Sequence, residues 1–267
     1  MRPGFVSVRG RIKSLATRIL PVRWMAARSL GGRAMVVALH RVNDVNAGDG
    51  LTLSPKQFED HCRFFSDNFN VVPLAEIVRR MENGDPLDRH VAITFDDGYR
   101  DNAEIAAPIL SRYGLHATFF VTTGFIGTDI VAPWDKELPT APGWMTWDQV
   151  RELSDLGFTI GGHTIDHVDL GHVSGDAAMR QLTTSRSALC ERLGAEVEFF
   201  AYPFGRRDNM TDANRSLVRE AGFRCCVSCF GGLVESGMSP FELPRVAISS
   251  WHASPDSFAL DMARGRL

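Results

Sequence analysis

The sequence predicts a parallel α/β fold, its sheet either open or closed into a barrel. Three observations carry this reading. From residue 34 onward, short apolar runs alternate with helical patterns, the rhythm of strands joined by crossover helices. At 267 residues the chain has the length of one domain, or at most two. Its composition, 44% hydrophobic and 23% charged, is that of an ordinary globular protein. That excludes a disordered tail, a collagen-like fibre and a small disulfide-stapled scaffold.

The elements follow in order. Residues 34–39 are apolar throughout and read as a buried strand. Ser54, Pro55 and Gln57 make a capping box with proline at the first helical position, so a helix is expected from there to about residue 68. A short strand near Val71 and Val72 and a helix over 74–81 come next. Residues 91–95 form a strand, 102–113 a helix closed by Gly114, and 117–122 a strand. Residues 128–143, rich in Pro, Gly and Trp, are a long loop of the kind that usually carries function. A helix over 147–156, a strand over 158–161 and a helix over 177–193 continue the alternation. Strands over 199–202, 223–228 and 245–248 complete it, and Ser254-Pro255-Asp256 opens a last short helix.

Charge is unevenly distributed. Arg2, Arg9, Arg11, Lys13, Arg18, Arg23, Arg28, Arg33 and Arg41 all precede the first acid, Asp44. The net charge of −3 therefore conceals a body with 20 basic residues against 32 acids, or −12. Such a body is a poor partner for nucleic acid, and only the basic N-terminal arm, residues 1–33, suits an anionic surface. Ile12, Leu15, Ala16, Ile19 and Val22 share one helical face, so the arm is expected to be helical. It could lie on an anionic membrane, pack on the domain, or act as an Arg-rich transit peptide. No apolar run approaches the ~18 residues of a membrane span, and arginines interrupt any secretory core. A cytoplasmic location is expected, peripheral on the inner membrane face if the arm binds there. Five cysteines (Cys62, Cys190, Cys225, Cys226 and Cys229) cannot pair fully. Cys226 and Cys229 have C-x-x-C spacing but no second pair, so they read as small hydrophobes of a buried strand.

Reactive groups in a parallel α/β fold collect at the carboxyl ends of strands. Thr94-Phe95-Asp96-Asp97-Gly98 puts adjacent carboxylates where a strand meets a glycine turn. Burying both as anions is costly unless a cation or partner neutralises them. In Gly161-Gly162-His163-Thr164-Ile165-Asp166-His167, two histidines at i and i+4 can converge on one metal if the segment turns helically, and the glycines allow a tight strand exit. With Asp97 they make a His₂-Asp set, which with an open position for water is a hydrolytic site. His172 reads as a loop residue. Phe200-Ala201-Tyr202-Pro203-Phe204-Gly205 is an aromatic strand end that either packs in the core or lines a groove.

In this order the motifs resemble the polysaccharide deacetylase family, with its NodB-type domain, also called carbohydrate esterase family four. The resemblance covers roughly residues 34–250. It implies a distorted (β/α) barrel, seven-stranded, with residues 34–267 as the catalytic domain. It implies Asp96 as general base, and Asp97, His163 and His167 as metal ligands. The family's third motif corresponds to Ala201-Tyr202-Pro203-Phe204, with the Phe204 N–H as oxyanion donor, Tyr202 and Pro203 beside it, and the family's arginine missing. The closing L-x-H motif that supplies the acid has no good match near the C-terminus, where Ser250-Trp251-His252 comes nearest. Val37-Ala38-Leu39-His40-Arg41 resembles the corresponding strand of circularly permuted members, which implies His40 as the acid. A core or capping histidine is the alternative. Arg245 could replace the missing arginine by pairing with Asp96, or could cap a surface carboxylate.

The resemblance therefore implies a metal-dependent hydrolase that removes an N-acyl group, usually acetyl, from an amino sugar of a glycan. Zn2+ is the default ion, with Co2+ or Ni2+ also compatible. A lipid-linked or small amide substrate, or a non-catalytic sugar-binding relative, are the alternatives. Intact Asp96, Asp97, His163 and His167 argue against the binder.

Overall fold

The computed structural model describes residues 22–267. Its first element is helix α1 (Val22–Ser29), followed by β1 (Ala34–Leu39) and the two-stranded pair β2 (Arg41–Val42) and β3 (Thr52–Leu53). Then come α2 (Pro55–Asn68), β4 (Asn70–Val71), α3 (Leu74–Asn83) and β5 (His90–Phe95). After β5 the chain forms α4 (Ala107–Arg112), β6 (Ala117–Val121), α5 (Trp147–Asp155), β7 (Thr159–Gly162) and α6 (Gly175–Leu193). Strand β8 (Phe199–Ala201), α7 (Asp212–Glu220), β9 (Cys225–Val227), β10 (Val246–Ala247) and α8 (Pro255–Ala263) end the fold.

Seven strands pair in the order β10-β1-β5-β6-β7-β8-β9, every neighbour parallel, with β4 pairing β5 off this path. Strands β9 and β10 do not pair with each other. The segment between them bridges the opening instead, through Val227 with Leu243 and Val234 with Ala34. The sheet is thus a barrel with one seam, which is the distortion expected. Alternate residues of the strands point to opposite faces. Met35, Val37, Leu39, Ile93 and Phe119 join the main core, whereas Val36, Ala92, Phe120, Phe199 and Val227 form a second core with Leu74, Ile77, Val78 and Met81 of α3.

Local sequence accounts for most element ends. Ser54 accepts from Gln57 N at 3.2 Å while the Gln57 side chain accepts from Ser54 N at 2.8 Å, the capping box that starts α2. Gly84 and Gly194 end α3 and α6 in left-handed conformation. The expected helix over 102–113 begins instead with a π-helical turn, Asn102–Ala106, before α4. Pro108, in the first turn of α4, has no N–H to continue a regular ladder. Helix α7 is not among the elements anticipated from sequence. It is short and polar, capped by Thr211, and buries Asn214 and Val218 with Leu217 packed beside them, so its inner stripe is too brief to stand out in the sequence.

Where the structure describes the arm, its last residues are helical and pack on the domain, one of the alternatives expected from sequence. Val22, Ala26, Ala27 and Leu30 belong to the main core, and α1 packs on α8. Residues 22–30 are thus part of the domain, because their apolar face is covered. Ile12, Leu15, Ala16 and Ile19 lie outside the described residues. Arg41, counted above with the arm's charge, is 2% exposed and ion-paired to Asp49 and Asp135. Among the described residues no helix is long and apolar enough to cross a membrane.

Candidate active site

Parallel strands deliver their carboxyl ends to one face of the sheet. His40 follows β1, Asp96 and Asp97 follow β5, His163 follows β7, and Tyr202 to Phe204 follow β8. His40, Asp96, Asp97, His163, His167, Tyr202 and Phe204 line one pocket of about 290 Å³ with Leu51, Trp134, Cys229 and Ala247.

Backbone conformation at these strand ends is unusual. Asp97, Thr164, His167 and Phe204 have φ of 74°, 66°, 54° and 62°. These are four of the five non-glycine residues with positive φ among those described, and the fifth is Arg89. Such conformations cost free energy and persist only where surrounding structure imposes them. They correct one expectation. The two histidines converge through a loop with two left-handed residues, not through a helical turn. Gly161 and Gly162 are needed for closeness, not for a special φ. A Cβ on Gly161 would stand 2.4 Å from the Phe120 ring and 2.9 Å from Phe199 O.

Asp96 is 3% exposed and meets the fully buried Arg245 in a two-pronged contact, Nη1 to Oδ1 at 2.7 Å and Nη2 to Oδ2 at 2.6 Å. Arg245 also donates to Thr94 Oγ1 at 2.9 Å and Ser228 O at 2.5 Å. It therefore does not cap a surface carboxylate. Burial opposes charge on Asp96, but the guanidinium outweighs it and holds the carboxyl below its usual range.

Asp97 has a different environment. Its Oδ1 lies 3.3 Å from His163 Nε2 and 3.3 Å from His167 Nε2, and is buried with no hydrogen-bond partner. Burial again opposes ionisation, yet the two imidazoles hold this carboxyl well below its ordinary value. His163 Nδ1 donates to Ala201 O at 2.8 Å, which leaves Nε2 as the free lone pair facing Asp97. Among the described residues this trio is the cluster able to hold a metal ion. The fit is good. Two donors around a tetrahedral ion at ~2.0–2.2 Å stand roughly 3.3–3.6 Å apart, matching both contacts. The charge also fits, since two carboxylates face one guanidinium.

His40 reaches the same pocket from β1. Burial pushes its imidazole below the ordinary pKa, partly offset by Asp97 and Asp96. His252 does not line the pocket. Its ring packs on Phe258 at 5.2 Å and lies 3.5 Å from Asp261, while its carbonyl accepts from His61 Nε2 at 2.7 Å. Phe204 is 53% exposed, its ring 4.9 Å from His167, and its N–H bonds no carbonyl of the described residues. Pro203 is buried and is not among the residues that line the pocket. Tyr202 lines the pocket, but its hydroxyl is engaged by Asn214 Oδ1 at 3.0 Å. Cys225 and Cys226 are buried on β9, where burial raises both thiols.

The polysaccharide deacetylase profile matches residues 83–226, more than half the chain. The chain belongs to the polysaccharide deacetylase family. It is 26% identical over 209 residues to YxkH of Bacillus subtilis, covering 78% of this chain and 69% of that protein. It is also 26% identical over 206 residues to poly-beta-1,6-N-acetyl-D-glucosamine N-deacetylase of Staphylococcus aureus, covering 74% and 68%. The solved deacetylase PplD of Streptococcus pyogenes superposes with a TM-score of 0.72 at 22% identity, over 87% of this chain and 99% of that one. IcaB from Ammonifex degensii gives 0.70 at 22% identity, over 89% and 98%. As a polysaccharide deacetylase this chain is a metal-dependent hydrolase that deacetylates glycans. The matched segment holds Asp96, Asp97, His163, His167 and Phe204, whereas His40 and Arg245 lie outside it.

Sequence reasoning missed Trp134, Leu51 and Ala247, and read Cys229 as a buried strand residue, whereas it lies beyond β9, half-buried, and lines the pocket. Trp134 comes from the loop 128–143 singled out as functional, and its ring lies 4.3 Å from that of His167. Leu51 carried no signal, since nothing local shows that β3 abuts the pocket.

Proposed function

We propose that this deacetylase hydrolyses the N-acetyl group of an N-acetylated amino sugar within a polysaccharide, with Asp97, His163 and His167 holding one divalent ion, zinc by donor type. One observation carries the reading: a two-histidine, one-carboxylate set beside a second carboxylate kept ionised by Arg245. The bound ion supplies positive charge that polarises the acyl carbonyl and acidifies water. Asp96 takes the proton of the attacking water. The Phe204 N–H donates to the oxyanion as the tetrahedral centre forms, a contact worth about 2.7–4 kcal/mol where such donors are preorganised. His40 gives its proton to the sugar nitrogen as the C–N bond breaks, releasing acetate and a free amine. Acetate release from a panel of N-acetylated glycans, with poly-β-1,6-N-acetylglucosamine among them, tests the substrate class.

His40 has its own test. His40→Ala is expected to lower kcat about 10²–10⁴-fold with metal content unchanged. An acid must be protonated, so the wild-type rate falls as pH rises through the His40 pKa, and the variant loses that alkaline limb. A variant with a normal rate returns His40 to a packing role.

The basic N-terminal segment is proposed as a contact for anionic membrane. Trp24 (58% exposed), Met25 (41%) and Arg28 form an uncovered face on α1, with Arg28 stacked over Trp24 at 4.7 Å. Trp24 and Arg28 share a surface pocket with Asp88 and Arg89, at the amino ends of β1 and β5. The catalytic residues lie at the carboxyl ends, some 20 Å away at ~3.3 Å per residue. A membrane held on this face leaves the pocket turned outward, which favours a polymer over a sugar at headgroup level. Removing residues 1–21 together with Trp24→Ala and Arg28→Ala is expected to lower flotation with phosphatidylserine vesicles and to leave deacetylation of a free glycan unchanged. Equal flotation of the two proteins overturns this assignment.

A further inference from the structure

A buried polar cluster outside the proposed catalytic set joins the loops that carry it. Arg41 directly follows His40, is 2% exposed, and ion-pairs with Asp135, which is 1% exposed. Its Nη2 donates to both Asp49 oxygens at 2.9 and 3.0 Å, and its Nε to Thr52 Oγ1 at 3.0 Å. Tyr99, in the turn after Asp96 and Asp97, donates its hydroxyl to Asp135 Oδ2 at 2.8 Å. The same hydroxyl accepts from Trp134 Nε1 at 2.8 Å and Arg41 Nη1 at 3.1 Å. Trp134 then stands against His167 and lines the pocket.

Burying a guanidinium with carboxylates is seldom the most stabilising way to fill space, since apolar side chains of similar volume do as well or better. Such a cluster does fix relative position, because each partner must be met in one geometry. Position is what this site lacks. Trp134 lies in the loop 128–143, whose regular structure is confined to the 3-10 turn Pro133–Asp135. A loop of that length does not hold an indole in place by backbone alone.

We propose that Arg41, Asp135 and Tyr99 are positioning residues, whose buried network holds Trp134 as a fixed wall of the substrate pocket and ties that wall to the strand end bearing His40. The catalytic consequence rests on the deacetylase reading above; the clamp itself does not. Losing a wall that contacts substrate before and during reaction raises KM and leaves kcat nearly unchanged. A network that only stabilised the fold would lower the melting temperature and the active fraction, with KM unmoved.

Two variants test this. Asp135→Asn removes the charge, and Tyr99→Phe removes only the hydroxyl that bridges Asp135 to Trp134, so it remains informative if the first does not fold. Each is expected to raise KM at least about tenfold. Trp134→Ala is expected to do the same, and adding Tyr99→Phe to it should change KM no further. Independent of activity, the Trp134 emission, taken as the difference from Trp134→Phe, should become more quenchable by acrylamide in either network variant. Unchanged quenching, or effects on KM that multiply in the double variant, would overturn the clamp. Increased quenching in a protein that releases no acetate from any glycan would keep the clamp and sink the substrate reading instead.

Discussion

Asp96→Asn is expected to lower kcat about 10²–10⁴-fold while the protein keeps its divalent ion. The amide cannot take a proton from water, but Asp97, His163 and His167 are untouched. The change also strands the Arg245 charge in the interior. Breaking a buried pair costs about 3–5 kcal/mol, so the melting temperature falls and rates must be read well below it. Metal content and kcat measured on one sample settle the outcome. Ion lost together with activity would make Asp96 a ligand, and a near-normal rate would remove it as the base. A pH dependence follows from the same contact. Arg245 overcomes burial and depresses the Asp96 pKa, so the carboxylate form is lost only as pH falls through that lowered value. Arg245→Gln raises the pKa, and the acid limb of kcat/KM should move to higher pH.

His163→Ala should lose both the bound ion and measurable turnover. Removing an outer partner of a ligand costs about 10–100-fold in affinity, and removing the ligand itself costs more. The structural reason is the Ala201 carbonyl, which fixes the His163 tautomer and aims Nε2 at the Asp97 oxygen. Competition against a chromophoric chelator measures the affinity. His167→Ala should behave alike, since its Nε2 stands at the same 3.3 Å from Asp97 Oδ1. Stoichiometric metal retained in the double variant would end the assignment of this trio.

Much of the site was legible because its pieces are local. The carboxylate pair, the glycine-histidine segment and the aromatic strand end each sit where an apolar run stops, and a parallel sheet sends all such ends to one face. His40 was reached through the family resemblance, as the residue after β1, and the sheet sets β1 beside β5. The helix starts at Ser54, Thr146 and Ser254 are written in their caps, which involve only residues three apart. Helix α7 escaped because its inner stripe is short and one of its two buried residues, Asn214, is polar.

By itself the sequence determined the strand-helix alternation, the family motifs and the residues available for metal and proton chemistry, since these depend on period and short spacing. Tertiary structure alone decided how those residues are used. Arg245 was a candidate partner for Asp96 or for a surface carboxylate, and only the fold, which brings the two together across 149 positions, decides between them. Left-handed backbone at Thr164 and Phe204, residue types that disfavour it, arises from packing. In the sequence Arg41 is one more basic residue ahead of the first acid, and the fold buries it against Asp135, 94 positions away. Whether a charge is solvated, paired or catalytic depends on what surrounds it, and those surroundings exist only once distant strands have closed around it.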